Sequence, residues 1–403
     1  MSPGMSSRER ISAALSHKEA DRVPFDFGGI GPTGISFQAF QKLLDHLQID
    51  ELAEIDDIGF QRAKLTESFL ERFRVDTRQL KCPPPSRWKL TIQEEKDCFF
   101  YFDEWGIGRK MNKIGGEYYF MFHYPLAEVE TGNLSRFPWP DPTDLKRLEE
   151  IVDTARRLRE GPDPATVLGG TFSLGLLQFA AQLEGTERFF SDLALDPYRV
   201  EWILDKLLEL KITFYLWALE RLAGWVDVVM MGDDFGHQTS QWISPEMFRR
   251  IIKPRYSELL TAIKKRFEVR ILLHSDGAIY TLIPDIIEMG FDALNPIQTG
   301  AREMGDTRRL KREFGDAITL WGGGVDVQQF LPYATPQEVE DEVMRRIEDL
   351  APGGGFVFAA TQAIQSETPS ENVMAMWRAL QRYGIYPIQN RRESEINKKG
   401  RVF

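Results

Sequence analysis

The sequence contains very little cysteine. Cys82 and Cys98 are its only two cysteines among 403 residues, which excludes a disulfide framework and a four-cysteine metal site. Long hydrophobic runs are also missing, because charged residues interrupt every apolar stretch before it reaches the length of a membrane span. The first nine residues are polar and contain no apolar signal-peptide core. We therefore expect a cytoplasmic protein without a membrane partner.

An excess of positive charge is missing as well. Lys and Arg total 50 against 61 Asp and Glu, which gives a net charge of -11. A surface of this sign repels the phosphates of nucleic acid and of anionic lipid, so neither is expected as the main partner. Hydrophobic residues make up 42% of the chain, which is enough for a large folded core.

The glycine motifs that bind nucleotides are not found. No Gly-x-Gly-x-x-Gly follows the first predicted strand, and no Walker-type lysine motif occurs. The triplet at 322–324 does not have the spacing of either motif. The sequence therefore gives no indication of a dinucleotide or nucleoside triphosphate site.

Short apolar segments alternate with amphipathic helices along most of the chain. Eight of these segments are predicted strands, near residues 23–27, 77–81, 166–171, 226–231, 270–274, 292–296, 317–322 and 355–361. Alternating strands and helices indicate a parallel sheet. Eight such units favour an α/β fold that closes as a single (β/α)8 TIM barrel, with an open doubly wound sheet as the alternative.

Two regions depart from this alternation. Residues 82–145 alternate in polarity and are rich in Tyr, Phe and Trp, which predicts an inserted β-meander after the second strand, either a small satellite core or a lid. Residues 391–403 form a charged tail, which leaves 1–390 as the barrel domain. Between the first two strands, residues 54–73 are predicted to be mostly helical.

Polar side chains follow the predicted strands at the point where each strand ends. The clearest example is the apolar run from Val269 to Leu273, which is followed by His274, Ser275 and Asp276. In a barrel the carboxyl ends of the strands meet at one mouth, where ligands bind. The polar residues expected there are Asp26, Thr171, Asp233, Asp234, His274, Asp276, Asn295, Gln298, Asp326 and Gln362. The structural alternative is helix capping, for which Asp276 and Asp326 are the best candidates.

Several short motifs, in order along the chain, resemble those of the uroporphyrinogen decarboxylase superfamily, whose members are single (β/α)8 barrels. The matching segments are Arg22-Val-Pro24, Asp103-Glu-Trp105-Gly106, Phe137-Pro-Trp-Pro140, Gly232-Asp233-Asp234-Phe235-Gly236, His274-Ser-Asp276-Gly277, Asn295-Pro296-Ile297-Gln298, Gly323-Gly-Val-Asp326 and Pro369-Ser-Glu371-Asn372. The resemblance covers nearly the whole chain, but it does not fix the reaction.

One branch of that superfamily decarboxylates porphyrinogens. Its members carry an Arg-Gln-Ala-Gly-Arg-Tyr stretch after the first strand, which holds the carboxylate arms of the substrate. The equivalent stretch here, from Asp26 to Gly34, contains no arginine. Guanidinium groups are the best bidentate partners of carboxylates, so a carboxy-lyase of porphyrin biosynthesis is the less favoured alternative.

The other branch transfers methyl groups to a corrinoid protein, and some members bind zinc through His-x-Cys and a distant Cys. Here Asp276 replaces the first of those cysteines, Gln362 lies near the last, and neither Cys82 nor Cys98 is in a matching place. The resemblance thus implies a small-molecule demethylase. Its zinc site would be made by His274 and Asp276, with Asp233 or Asp234 as the alternatives for a further ligand, rather than by thiolates. Its corrinoid would be carried by a separate partner protein.

Roles follow from this resemblance. The predicted catalytic residues are His274, Asp276 and Asp233, which protonate or polarise the leaving heteroatom. The predicted substrate-binding residues are Asp26, Thr171, Asp234, Asn295, Gln298, Asp326 and Gln362. A non-catalytic ligand-binding barrel stays open as a further alternative, because Asp276 and Gln362 replace known ligands. The resemblance also allows a homodimer.

Overall fold

Short apolar strands separated by helices form the centre of the protein in a computed structural model, which describes residues 4–161, 163–222 and 224–389. The strands are β1 Glu54–Asp57, β2 Arg62–Lys64, β3 Thr77–Lys81, β4 Gln93–Glu94, β5 Cys98–Phe102, β6 Gly108–Asn112, β7 Phe120–His123, β8 Ala165–Gly169, β9 Val228–Gly232, β10 Arg270–His274, β11 Ala293–Asn295, β12 Thr319–Trp321 and β13 Phe356–Val357. The helices are α1 Ser7–Leu15, α2 Phe37–His46, α3 Glu67–Arg72, α4 Lys146–Glu160, α5 Leu177–Glu184, α6 Thr186–Leu195, α7 Pro197–Leu222, α8 Pro245–Met247, α9 Lys253–Lys264, α10 Ile283–Met289, α11 Thr307–Phe314, α12 Pro336–Leu350 and α13 Ser370–Tyr383.

Seven of these strands pair in one parallel sheet, in the order β13-β12-β11-β10-β9-β8-β3. Strands that are neighbours in the sheet follow one another along the chain, and helices separate them in sequence. This arrangement confirms the predicted α/β class and the parallel sheet, which curls so that its carboxyl ends face a common side.

The first predicted strand, residues 23–27, bonds to backbone next to both edges of the sheet. The amide of Asp26 donates to the carbonyl of Phe358, just beyond β13, at 2.9 Å. On the other side, the carbonyl of Phe25 accepts from the amide of Asp76, just before β3, at 2.8 Å. The segment makes only an isolated bridge and is not a regular strand.

Both faces of the parallel sheet are buried. Leu272 and Trp321 point to the inner side, where they share one apolar cluster, whereas Leu273 and Leu320 point outward into the larger core under the helices. This burial on both faces explains why the strands are nearly continuous apolar runs instead of alternating ones.

Helix α1 covers the amino ends of the strands. Its Ile11 and Leu15 belong to the inner apolar cluster, and the hydroxyl of Thr319 at the start of β12 donates to the carbonyl of Ala14 at 3.1 Å. The opposite end of the sheet, where the strands terminate in polar residues, is therefore the end at which a ligand can approach.

Within residues 82–145, a four-stranded antiparallel sheet has the order β4-β5-β6-β7. Between β5 and β6, Trp105 packs edge to face on Phe179 of α5, with ring centroids 4.7 Å apart. A buried ion pair joins the neighbouring Glu104 to Arg147 of α4. These contacts attach the antiparallel sheet beside α5.

The predicted helix over residues 54–73 is wrong for most of its length. Strands β1 and β2 pair antiparallel there, and helix begins only at Glu67. The chain reverses between the two strands, where Gln61 adopts a left-handed conformation with φ of 50°, which a continuous helix cannot accommodate.

Among the helices in the described ranges, none is both long enough and apolar enough to cross a lipid bilayer. The charged tail predicted at 391–403 lies outside the described residues.

Candidate active site

His274 lies at the carboxyl end of β10, in the middle of the parallel sheet. In the strand register it pairs with Gly232 of β9 on one side and with Asn295 of β11 on the other. The side chain is buried, with a tenth of its surface exposed. A Cβ on Gly232 would lie 3.7 Å from Cδ2 of the imidazole, so glycine keeps a side chain of β9 away from the ring at this position.

Asn295 fixes both the orientation and the tautomer of His274. The amide nitrogen of Asn295 donates to the carbonyl of Trp321 at 3.1 Å, so its amide oxygen faces Nδ1 of His274 at 2.7 Å. Nδ1 must then carry the hydrogen. In the neutral imidazole Nε2 therefore presents its lone pair to the mouth of the sheet.

Two carboxylates lie on either side of that lone pair. Oδ1 of Asp234 is 3.9 Å from Nε2 of His274, and Oδ2 of Asp276 is 3.8 Å from the same atom. The backbone amide of Asp276 donates to Oδ1 of Asp234 at 3.0 Å, which holds the two loops together. Their three ligand atoms all lie within 4.8 Å of one another. We call these three residues the Asp-His-Asp cluster.

Asp276 is the least satisfied member of the cluster. Its Oδ2 accepts from Nε2 of Gln362, but its buried Oδ1 has no hydrogen-bond partner. Burial is the main cause that raises the pKa of Asp276, with a smaller contribution from the nearby Asp234, while His274 and Gln362 lower it; the net pKa is about 6. A buried carboxylate oxygen without a donor is costly, so this atom requires a proton or a cation.

The side chain of Gln178, at the start of α5, completes the surroundings of Asp234. Its Nε2 donates to Oδ2 of Asp234 at 2.6 Å. Gln178 was not among the predicted site residues, because it lies on a helix and not at the end of a strand. Its position in the first turn of a helix that follows a predicted strand is the sequence feature that could have indicated it.

Asp233 does not face the cluster, although it was predicted to be catalytic. It is fully buried, and its two oxygens accept from the backbone amides of Leu176, Leu177 and Gln178 and from the hydroxyl of Tyr256, at 2.7 to 2.9 Å. By accepting from these three amides, the carboxylate of Asp233 caps the amino end of α5. The geometry therefore supports a structural role for Asp233.

Asp26 is likewise engaged by other groups. Its carboxylate accepts from the hydroxyls of Thr33 and Thr77, from the indole of Trp321 at 2.7 Å and from the amide of Gly29. Four donors satisfy it below the surface. It stabilises the loop after the first segment and leaves no oxygen for a substrate.

The remaining predicted residues lie in the loops around the cluster. Oε1 of Gln298 accepts from the amide of Gly277 at 2.6 Å, which anchors the loop that carries Asp276. Asp326 caps its own turn through Oδ1, while its Oδ2 is buried without a partner. Thr171 follows β8, and its side chain lies outside the described part of the structure.

The cysteines lie apart from the cluster. Cys82 is buried after β3, and burial raises the pKa of its thiol to about 12, so it is not a thiolate at neutral pH. Cys98 begins β5 in the antiparallel sheet. Neither thiol is a member of the Asp-His-Asp cluster.

The donor set of the cluster suits a divalent cation. One imidazole nitrogen and two carboxylate oxygens are ligands that zinc accepts, and catalytic zinc sites usually have three protein ligands and one open position. The proximity of two carboxylates to the same imidazole nitrogen favours a positive charge between them, and the buried Oδ1 of Asp276 adds a carboxylate oxygen without a donor. The residues present therefore fit a metal, and of the two aspartates considered for a further ligand it is Asp234, not Asp233, that lies in the cluster.

Comparison with known proteins gives the family. The family model for uroporphyrinogen decarboxylase (URO-D) matches residues 106–383. Uroporphyrinogen decarboxylase from Pseudomonas entomophila (strain L48) is 28% identical over 286 residues, which are 70% of this chain and 73% of that protein. The enzyme of the same name from Pseudomonas putida (strain KT2440) is 28% identical over 294 residues, covering 72% and 75% of the two chains.

A solved structure of similar fold is a methyltransferase from Methanosarcina mazei. The TM-score is 0.66, and the match covers 94% of this chain and 99% of that one. Its sequence is 21% identical, so the likeness concerns the fold. Because the family model spans well over half of its residues, the chain belongs to the uroporphyrinogen decarboxylase family.

Proposed function

We propose that this chain is a methyltransferase that demethylates a small methylated substrate and delivers the methyl group to a corrinoid carried by a partner protein. The observation that supports it most directly is the Asp-His-Asp cluster at the carboxyl ends of β9 and β10. There an imidazole lone pair and two carboxylates face the same point, in the position where barrels of this kind bind substrates.

We further propose that Asp234, His274 and Asp276 hold a divalent metal, with zinc as the first candidate. Such an ion would act as a Lewis acid on the heteroatom that carries the methyl group. The family's thiolate ligands are absent from the cluster, so its oxygen donors make a harder site than a cysteine-based one.

The protein's own groups then have separate tasks. Asn295 holds the imidazole with its lone pair directed into the cluster. The amides of Gln178 and Gln362 each bind one carboxylate oxygen and restrict its rotation. Without a metal, Asp276 retains a proton below about pH 6 and can donate it to a leaving heteroatom.

The proposed methyl transfer conserves electron pairs and needs no oxidant. The bond between the methyl carbon and the heteroatom breaks, and the heteroatom keeps that electron pair. The reduced corrinoid acceptor supplies the pair that forms its new bond to the methyl carbon. The heteroatom then takes up a proton, so that an alcohol, a phenol or an amine is released.

The site does not favour decarboxylation of a porphyrinogen. The loop after Asp26 lacks arginine, and the guanidinium of Arg62, which lies beside Gly31 of that loop, is paired with Asp57 at 2.5 Å. A paired arginine is less available to hold a carboxylate arm of a substrate. Decarboxylase and non-catalytic binding protein are therefore the alternative outcomes of the test below.

We also propose that residues 23–27 close the parallel sheet into an eight-stranded barrel, and that the aromatic region 82–145 shields its mouth. The bonds from Asp26 and Phe25 to both edges support the closure. The contact between Trp105 and Phe179 supports the shielding role of the aromatic region. It brings that region next to Gln178, which precedes Phe179 on α5 and binds Asp234 of the cluster.

The test offers reduced free cobalamin as acceptor, together with a panel of methoxylated aromatic compounds and methylated amines. Absorbance spectroscopy follows methylation of the cobalamin. His46, at the end of α2 beside Glu371, is not a member of the cluster and serves as the control histidine. We expect turnover of at least one donor by the native protein and by His46→Ala, and a loss of roughly 100-fold or more in His274→Ala. Carbon dioxide release from uroporphyrinogen would overturn the proposal in favour of a decarboxylase. Binding of methylated donors without turnover would favour a binding protein.

A further inference from the structure

Gln178 is bonded to both of the adjacent aspartates that follow β9. Its backbone amide donates to Oδ1 of Asp233 at 2.7 Å, and its side-chain amide donates to Oδ2 of Asp234 at 2.6 Å. A carboxylate can only accept, so the Nε2 end of the glutamine must face Asp234. One residue thus connects the structural carboxylate to the carboxylate of the cluster.

The backbone hydrogen bond from Gln178 to Asp233 belongs to a group of contacts that hold the start of α5 in place. Asp233 accepts from three consecutive amides at the start of α5 and from the hydroxyl of Tyr256, and all of these hydrogen bonds are buried except the part-buried one from Gln178. The helix begins so close to the carboxylate that a Cβ on Gly175 would lie 2.1 Å from Cγ of Asp233. The first turn of α5, and with it the Cα of Gln178, is therefore fixed relative to the end of β9.

The side-chain hydrogen bond from Gln178 to Asp234 connects this fixed helix start to the cluster. Within the described ranges, the other polar contacts of Asp234 are the amide of Asp276 at 3.0 Å and the more distant Nε2 of His274 at 3.9 Å. Without Gln178, one carboxylate oxygen would lose its donor, and the side chain could rotate toward solvent. Metal-ligating carboxylates depend on such partners for their orientation.

We propose that Gln178 is a positioning residue for Asp234 and that Asp233 acts on the site through it. The inference rests on the proposed function insofar as Asp234 is taken to be a metal ligand. It extends that function, because it assigns a role in the site to helix α5.

The test compares Gln178→Ala with Gln182→Ala. Gln182 is the same residue type one turn further along α5, and its side chain contacts Arg109 instead of the cluster. For each variant, zinc affinity is measured by competition with a chelator, the absorption spectrum of bound cobalt(II) is recorded, and thermal stability shows whether the fold is retained.

We expect Gln178→Ala to bind zinc about 10- to 100-fold more weakly and to change the cobalt(II) spectrum, while Gln182→Ala matches the native protein in both. Equal zinc affinity and equal spectra in all three proteins would overturn the inference and leave the metal site intact. A general weakening of the fold would lower thermal stability in both variants without changing the cobalt(II) spectrum, and this result also counts against it.

A native protein that binds no metal would overturn the metal site but not, by itself, the positioning role. A crystal structure of Gln178→Ala then decides. Rotation of the Asp234 carboxylate away from Nε2 of His274 supports the inference, and retention of their separation near 3.9 Å contradicts it.

Discussion

The amide oxygen of Asn295 lies 2.7 Å from Nδ1 of His274, while the other end of the same amide bonds to the carbonyl of Trp321. This pair determines which nitrogen of the imidazole is free. Any metal or proton chemistry at Nε2 depends on an amide that itself has no contact with the carboxylates of the cluster.

Replacing Asn295 with alanine should therefore weaken the site without removing a ligand. We expect zinc affinity to fall about 10- to 100-fold, because the imidazole loses its orienting partner. The buried Trp321 carbonyl also loses a donor, which should lower the free energy of unfolding by about 1–3 kcal/mol. Calorimetric zinc titration and urea denaturation measure the two effects. Unchanged zinc affinity in a folded variant would show that Asn295 does not orient His274.

The raised pKa of Asp276 predicts that the free energy of unfolding of the metal-free protein depends on pH. This pKa is raised from 3.8 to about 6 in the folded chain, so the folded state binds more protons than the unfolded state between these values. The stability contributed by this proton is complete below pH 3.8 and is lost as pH rises through 6. The loss is at most about 3 kcal/mol, at 1.36 kcal/mol for each pKa unit.

Asp276→Asn removes this titration. We expect the variant to be more stable than the metal-free native protein at pH 8, and the difference to shrink toward pH 5. Urea denaturation at both pH values, in the presence of a chelator, gives the comparison. A difference that is the same at both pH values would contradict the raised pKa.

The two adjacent aspartates should respond in opposite ways to the same substitution. Asp233→Asn introduces a donor where four donors already converge, so the free energy of unfolding should fall by about 2 kcal/mol or more. Asp234→Asn should leave stability within about 1 kcal/mol, because this side chain is partly exposed, but it should reduce zinc affinity. Denaturation curves and zinc titrations of both variants distinguish these roles. Full stability of Asp233→Asn, or unchanged zinc affinity in Asp234→Asn, would contradict these assignments.

The sequence predicts the position of the candidate site, but it does not separate the roles of the two adjacent aspartates. His274 and Asp276 are predicted site residues because an apolar strand ends at them. The difference between Asp233 and Asp234 follows from strand pleating. Gly232 pairs with inward-facing His274, so the next residue points outward and the one after it inward. This alternation can be applied to the sequence only after the strand register is known from the structure.

Other features could not be predicted, because they depend on contacts between distant parts of the chain. Asp26 is satisfied by Thr77 and by Trp321, which is 295 residues away in sequence. Gln178 approaches Asp234 only because α5 starts against the end of β9. Local patterns predict strands, helices and their ends, but not which side chains meet between them.

The metal content of the purified protein tests the central claim most directly. Elemental analysis should find about one zinc or similar divalent ion per chain in the native protein and in the His46→Ala control, as expected for a single three-ligand site. The His274→Ala variant should contain close to none, because one of the three ligands is lost. No bound metal in the native protein after it has been loaded with zinc, or equal metal in His274→Ala, would contradict a metal held by the Asp-His-Asp cluster.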